Sequence, residues 1–370
     1  MFKGVEIVNA AVASEKRVYH YLNNIKVFLA FLIVACHANM AYGGAGGWYY
    51  VEVTNDELST SLLTMANAII QSFSMALFFF LAAYFSPGSY DKRSFSRYFK
   101  DRTSRLVLPG LFYCLVLNPL CINLVRKQDY FSSLGFYNLW FVMALFFFSV
   151  AYALLRRFIP IKVPAIGNPK SRHIFALIIF IGILNFITRI FFKTDKMYIF
   201  DFTFGYFPQY IVFFILGVIA FRNNWLDSLN KNLARRHLSI SIASIVLFPA
   251  VFLIAASGTG SLENFFGGVT FESMFYSMWE PLLSVGIILG ILSGFRNKLN
   301  FTIPVLSKLA RCSYSIYIIQ GPIIVILQIA LRAININILA KASIVTVLTF
   351  GTTFAISLLI LKIPRLDKIL

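Results

Sequence analysis

Charged residues are scarce in this chain of 370 residues: they make up 13%, and only 15 of them are acidic. A typical soluble domain carries about 25% charged residues. Residues with apolar side chains make up 59% of the sequence, and 40 residues are phenylalanine. Because so few polar side chains cannot cover that much apolar surface in water, the composition excludes a soluble protein and indicates an integral membrane protein.

Cysteine is also scarce, and its placement excludes two further classes. All four cysteines fall inside apolar runs, with no metal-ligand spacing and no pair in a polar segment. The sequence therefore predicts neither a disulfide framework nor a metal site, and it favours cysteines that pack as small hydrophobic side chains. The four are Cys36, Cys114, Cys121 and Cys312.

The sequence consists mainly of long apolar runs. About ten runs are long enough to cross a hydrocarbon core of about 30 Å, and none alternates with the period of two that a barrel strand requires. Since only helices and closed barrels satisfy their backbone in lipid, we expect one all-α domain over 1–370, a bundle of about ten transmembrane helices. The runs are 27–43, 62–86, 104–125, 139–155, 174–192, 206–221, 238–256, 275–294, 312–331 and 341–361.

The 33 basic residues determine the predicted orientation. If the N-terminus is inside, 26 of the 33 fall on the inner side, and Arg189 is among the seven left outside. This asymmetry is the positive-inside pattern, so the basic charge predicts topology and not nucleic-acid binding. Both termini, within segments 1–26 and 362–370, are expected in the cytoplasm. We read the first apolar run as a retained helix and not a cleaved signal peptide.

Ionisable groups inside a membrane are costly and are candidates for function. Lys26 and His37 are eleven residues apart on the first predicted helix. That spacing is three helical turns plus about 20°, which puts both on one face and about 16 Å apart along the axis. One helix face would therefore carry a cation at the inner edge and a titratable imidazole in the outer half. A buried histidine with a lysine reaching to the interface explains the pattern equally well.

Arg102 and Arg105 form a second constellation before the third apolar run. They are predicted to lie where a helix begins, where free N–H groups and the helix dipole would add to a phosphate-binding guanidinium pair. The alternative is that the two arginines only anchor a basic loop to lipid head groups.

These stretches together resemble the membrane acyltransferase 3 family. The spacing of Lys26 and His37 is similar to the family's R/K-X10-H signature, and Arg102-Thr-Ser-Arg105 is similar to its R-X-X-R motif. Two departures stand out: Ala83 occupies a position where glycine is usual, and Gln320 replaces a common histidine. The branch that modifies periplasmic glucans looks most similar. Four further stretches carry the resemblance, namely 72–85, 139–141, 213–217 and 313–317.

The resemblance implies transfer of an acyl group, of acetyl or succinyl type, from cytoplasmic acyl-CoA to a hydroxyl of an extracytoplasmic carbohydrate. Lys26, Arg102 and Arg105 would then bind the phosphates of the donor, and His37 would act as the general base. Acyl-CoA would be a co-substrate, and no other cofactor is expected. The implied setting is the lipid bilayer of a bacterial inner membrane, where a homo-oligomer is conceivable.

Other polar residues fit secondary roles. Asn39, Tyr314 or Tyr317 could donate to an oxyanion, and nothing in the sequence chooses among them. Glu280 could orient His37 or bind a sugar hydroxyl, or it could simply lie at the interface beside a proline. Aromatic residues at 48–50 and 140 could stack on sugars, although an interfacial belt is the favoured interpretation. A secondary transporter or flippase with an intramembrane histidine is the alternative class.

Overall fold

Long apolar runs fold as helices because lipid offers the backbone no hydrogen-bond partners. The computed structural model describes residues 19–159, 165–259 and 262–369, apart from the side chains of 250–259, 262, 367 and 368. It is 79% helical, and its described residues include no strand. The predicted N-terminal segment lies outside the described residues as far as residue 18.

In the described part of the chain, ten long helices follow one another in alternating directions: α1 (His20–Ala41), α2 (Glu57–Tyr90), α3 (Phe95–Val125), α4 (Trp140–Phe158), α5 (Ser171–Phe191), α6 (Phe207–Arg222), α7 (Lys231–Thr259), α8 (Phe271–Lys298), α9 (Pro304–Leu331) and α10 (Ile338–Ile360). Within the described residues, nine of them, all but α7, are long and apolar enough to cross a membrane. α7 occupies the place of the predicted run 238–256. The predicted all-helical polytopic fold is confirmed.

The alternation gives the bundle two chemically different ends. The first, which we call the basic end, is where α1 and every other odd-numbered helix begins. The second, the opposite end, carries the connections 42–56, 126–139, 192–206 and 332–337. The positive-inside pattern predicts that the basic end faces the cytoplasm.

The helix α2 lies inside the bundle, packed against α1, α4, α6 and α8. Its closest neighbour is α6, and Gly217 makes the approach possible: a Cβ atom there would collide with the main-chain oxygen of Phe80 and the side chain of Ala83. The helix α1 packs between α2, α9 and α10. Both candidate residues of α1 are therefore surrounded by other helices.

The helix α3 differs from its predicted form in two ways. It begins at Phe95 with Ser94 as its N-cap, earlier than the apolar run at 104. It also contains two π-helical turns, Thr103–Val107 and Tyr113–Leu117. Such turns are rare and occur frequently at functional sites.

Candidate active site

His37 lies about one turn before the end of α1, between α9 and the connection 42–56. Its ring stacks on the indole of Trp48, with the ring centroids 5.2 Å apart and 28° between their planes. The side chain of Gln320 on α9 is close enough to interact with the imidazole. Nδ1 of His37 is buried with no hydrogen-bond partner. The imidazole is thus packed between Trp48 and Gln320, and its Nδ1 has no hydrogen-bond partner among the described residues.

The connection 42–56 is fixed over His37 by buried polar contacts. Nε2 of Gln328 donates to the carbonyl oxygen of Tyr50 at 2.9 Å. Nζ of Lys341 donates to Oε1 of Glu52 at 2.6 Å, and the side chain of this lysine is only 3% exposed. Trp48 is 8% exposed. The interpretation of Trp48 as part of an interfacial belt is therefore wrong, because the connection folds back and buries the indole against the imidazole.

A chain of hydroxyl groups runs beside this stacked pair. The side-chain amide of Asn118 donates an N–H to the carbonyl oxygen of Ser133 at 2.9 Å, which identifies its nitrogen. The other side-chain atom of Asn118, Oδ1, must then be the acceptor in its contact with Tyr49. Tyr49 donates its only hydroxyl proton to that Oδ1 at 2.7 Å. The 2.6 Å hydrogen bond between the hydroxyls of Tyr49 and Tyr113 must therefore have Tyr113 as its donor. This chain orients Tyr113, the first residue of the second π turn.

Three of the buried polar atoms without a hydrogen-bond partner belong to His37 and to residues of the segments packed near it. Nε1 of Trp48 and Nδ2 of Asn138 are both buried without a hydrogen-bond partner, as is the imidazole Nδ1. Most buried polar atoms in folded proteins are hydrogen-bonded, so each exception requires an explanation. A group of them around a titratable ring is what a site for a polar substrate requires.

The structure separates the cationic residues from His37, as the spacing predicts. Nζ of Lys26 lies 5.0 Å from the ring centroid of Phe85, near the basic end of α2. The guanidinium of Arg102 lies 4.9 Å from the ring of Tyr98, which in turn packs edge-on against Tyr90 of α2. Neither cation has a carboxylate partner within the described ranges. Lys26 and Arg102 are therefore free to bind an anion around the same end of α2.

One part of the arginine prediction is wrong. Because α3 begins at Phe95, its free N–H groups lie more than a turn before Arg102. The N–H of Thr103 already bonds within the helix, so the helix dipole contributes little at the arginine pair. Arg105 is exposed and lies in the first π turn. Any phosphate binding here must come from the guanidinium groups themselves.

The predicted oxyanion donors are already engaged. Tyr314 donates its hydroxyl to the carbonyl oxygen of Arg105 at 2.7 Å, and Tyr317 donates to that of Asn138. Nδ2 of Asn39 donates to Oδ1 of Asn67 at 3.0 Å, in a network that holds the start of the connection 42–56. In this arrangement none of the three offers these donor contacts to a substrate.

Glu280 lies in a different cluster from His37. Its carboxylate pairs with Arg189, and both side chains are completely buried. Nη1 of Arg189 also donates to Ser277 at 3.2 Å, and the guanidinium lies 5.2 Å from the ring of Tyr206 and 5.0 Å from that of Tyr276. Arg189, which the sequence counts among the basic residues on the outer side, lies in the last turn of α5 and is buried there with its partner. None of the described contacts of Glu280 involves His37.

A row of stacked aromatic rings begins beside the Arg189 cluster, where the guanidinium lies over the ring of Tyr206. The rings of Trp140 and Tyr210 are 5.7 Å apart with 25° between their planes, and those of Tyr210 and Tyr206 are 6.3 Å apart with 24°. The amide nitrogen of Gln71 donates to the hydroxyl of Tyr210 at 3.0 Å. Trp140 and Tyr206 are partly exposed. The row offers flat apolar faces beside hydrogen-bonding groups.

Comparison with known proteins gives one result for this architecture. Residues 19–362 match a family model described as an acyltransferase domain, that of acyltransferase 3. The chain belongs to the acyltransferase 3 family, and it is a membrane acyltransferase. This confirms the resemblance of the motifs and decides between the two classes that the sequence left open. Comparisons with curated proteins and with solved structures give no match.

Several residues of this site were not among the sequence candidates. Gln320 was noted only as a departure from the family pattern, and Asn138 immediately precedes the Leu139–Phe141 stretch that carries part of the resemblance. Tyr113 had no signal in the sequence, since a tyrosine inside an apolar run is usual near an interface. Trp48 was considered only for stacking on a sugar or for an interfacial belt, and its contact with His37 was not predicted.

Proposed function

We propose that this protein transfers an acyl group, of acetyl or succinyl type, from acyl-CoA to a hydroxyl group of an extracytoplasmic carbohydrate, with His37 as the general base. The observation that carries the proposal is the environment of His37. Its imidazole lies within the bundle, stacked on Trp48 and beside Gln320, and Nδ1 has no partner. An imidazole held in place with a free nitrogen is suited to accept a proton from a hydroxyl.

The basic end supports a CoA donor. Lys26 and Arg102 lie around the same end of α2 without carboxylate partners in the part of the chain that the structure describes, and Arg105 is exposed nearby. Cations without acidic neighbours suit phosphate groups, and arginine can bind them with two hydrogen bonds. Because Lys26 and His37 are on one helix about 16 Å apart, a donor bound at the basic end would have to extend along the bundle to present its thioester.

The aromatic row supports a carbohydrate acceptor. Sugars present apolar faces and hydroxyl edges, so they match sites that combine aromatic planes with amides. Trp140 and Tyr206 supply partly exposed rings, and Gln71 supplies an amide beside them. If the basic end faces the cytoplasm, the acyl group crosses the membrane inside the protein while the acceptor stays outside. The proposed location is the inner membrane of a bacterium.

The proposal is tested with purified protein in proteoliposomes, supplied with acetyl-CoA and an envelope oligosaccharide. We expect release of CoA and an increase of one acetyl group in the mass of the oligosaccharide. His37→Ala should lower the turnover number by about 10²–10⁴, the contribution of a general base. The affinity for acetyl-CoA should change little, since the donor cations are distant from the imidazole.

His237→Ala is the matched control, because His237 is also a buried histidine, 1% exposed, and hydrogen-bonds to Ser171 at the basic end. Its turnover should stay within about threefold of the parent. A His37→Ala variant that transfers acetyl groups at nearly the parental rate would contradict the assignment of the base. Release of CoA without any acylated oligosaccharide would contradict the acceptor.

A further inference from the structure

The backbone at Asn138 is held in an unusual conformation. The preceding residue, Tyr137, has φ of 33°, which is uncommon for a residue with a large side chain. Its N–H donates to Oδ2 of Asp201 at 2.7 Å, and the carbonyl oxygen of Asn138 accepts from the hydroxyl of Tyr317. Strained backbone persists where neighbouring contacts enforce it, and it is concentrated at functional sites. Contacts from two other segments therefore fix the position of Asn138.

The side-chain amide of Asn138 has a free donor. The residue is 7% exposed, and Nδ2 has no hydrogen-bond partner. Nδ2 lies 3.3 Å from the place where a Cβ atom of Gly321 would stand, and the hydroxyl of Tyr113 lies 3.1 Å from the same place. The glycine allows both polar groups to approach α9 closely. Since Tyr113 donates its proton to Tyr49, the amide of Asn138 is the free donor at this position.

Two sets of contacts connect this amide with His37. The first is along α9, because Gly321 directly follows Gln320, which interacts with the imidazole. The second is through stacked rings: Tyr137 lies 4.7 Å from Tyr49, Tyr49 lies 5.2 Å from Trp48, and Trp48 stacks on the imidazole. Asn138, in the connection 126–139, and His37, on α1, therefore both lie beside the segment Gln320–Gly321 of α9.

We propose that Asn138 is a catalytic residue whose Nδ2 donates a hydrogen bond to the carbonyl oxygen of the acyl group during transfer. This assignment rests on the proposed function. The acceptor hydroxyl oxygen forms a bond to the thioester carbon while its proton moves to His37. The electron pair of the C=O bond moves onto the oxygen that Asn138 holds. The electron pair on this oxygen then re-forms the C=O bond of the new ester, the C–S bond breaks, and the leaving thiolate takes the proton from the imidazolium.

The proposal predicts a specific kinetic effect. Removing one donor from an oxyanion site lowers the turnover number by about 10²–10³. We expect that loss in Asn138→Ala and in Asn138→Asp, which keeps the shape but not the N–H groups. The KM for acetyl-CoA should stay within about threefold. Hydrolysis of acetyl-CoA without an acceptor should fall by the same factor, since it passes through the same kind of oxyanion.

Two variants separate the donor from alternatives. Asn185→Ala is the matched control, because Asn185 is also a fully buried amide without partners, on α5, and its loss should leave turnover nearly unchanged. Trp48→Phe keeps a ring on His37 but removes the other free N–H of the region. A 10²-fold loss in Trp48→Phe together with near-parental turnover in Asn138→Ala would overturn the proposal.

A spectroscopic measurement gives a result that does not depend on turnover. In His37→Ala, bound acetyl-CoA labelled with ¹³C at the carbonyl should show a lowered C=O stretching frequency, and adding Asn138→Ala should return it toward the value in water. An unchanged frequency would overturn the proposal. If the parent transfers acetyl groups but Asn138→Ala does so equally well, the proposal fails while the proposed function stands. If the parent neither binds nor cleaves acetyl-CoA, both fail.

Discussion

The buried pair of Arg189 and Glu280 makes a strong prediction about stability. Both side chains are completely shielded, and the guanidinium also bonds to Ser277 and to the carbonyl oxygen of Gly205, at 3.2 and 3.1 Å. Removing one partner of such a pair leaves an uncompensated buried charge and typically costs about 3–5 kcal/mol. We therefore expect Arg189→Met and Glu280→Leu each to lower the free energy of unfolding by about that amount.

The double variant should be much more stable than the sum of the two losses predicts. Replacing both ionic groups by apolar side chains leaves no buried charge, and such replacements are often neutral. Because the single losses would sum to about 6–10 kcal/mol while the double variant is nearly neutral, the coupling energy from the double-mutant cycle should exceed the usual range of about 0.5–3 kcal/mol. The free energies are measured by titrating the protein from mixed micelles with SDS.

The two single variants should also respond differently to acid. In Arg189→Met the remaining carboxylate can take up a proton, so its loss of stability should shrink as the pH falls. In Glu280→Leu the guanidinium cannot lose its proton at any accessible pH, so the loss should persist. Additive losses in the double variant, or single losses below about 1 kcal/mol, would refute the argument that charge pairing holds these helices together.

Two further predictions concern the basic end. In a cysteine-free background, a cysteine replacing Asp56 should react with an impermeant reagent added outside intact cells, and one replacing Phe95 should not; the reverse pattern would invert the topology. Arg102→Ala and Arg105→Ala should each weaken the binding of acetyl-CoA, with Lys restoring it only in part because a point charge cannot make two parallel hydrogen bonds. Arg97→Ala, an exposed arginine of the same helix, is the control, and equal affinities in all three alanine variants would return the pair to a topological role.

The sequence predicted the parts of the fold that lipid dictates. Apolar runs locate helices because the backbone has no other way to satisfy its hydrogen bonds in a membrane. They do not locate helix ends, which depend on capping and on polar turns outside the lipid. Ser94 therefore begins α3 before its apolar run, and this earlier start removed the predicted helix dipole from Arg102.

The sequence identified the candidate base but not its neighbours. His37 was distinctive because an imidazole in an apolar run is costly. Its contact with Trp48 depends on a connection that folds back, and its contact with Gln320 depends on a helix almost 300 residues away. Neither contact can be predicted from the spacing of residues around His37. The pairing of Arg189 was missed for the same reason, since its partner, Glu280, is 91 positions further along the chain.

The helices α1 and α3 carry the same arrangement of residues, and the rise of a helix gives the distances within it. Both begin at the basic end, and each carries a cation followed by a group of the candidate active site: Lys26 and His37 on α1, Arg105 and Tyr113 on α3. At about 1.5 Å per residue these pairs are separated by about 16 and 12 Å. A donor bound at these cations would have to extend a similar distance along both helices to place its reactive group beside His37 and Tyr113. Under the proposed function, the spacing within each helix, and not the composition of the run between, would therefore link donor binding to the chemistry at His37.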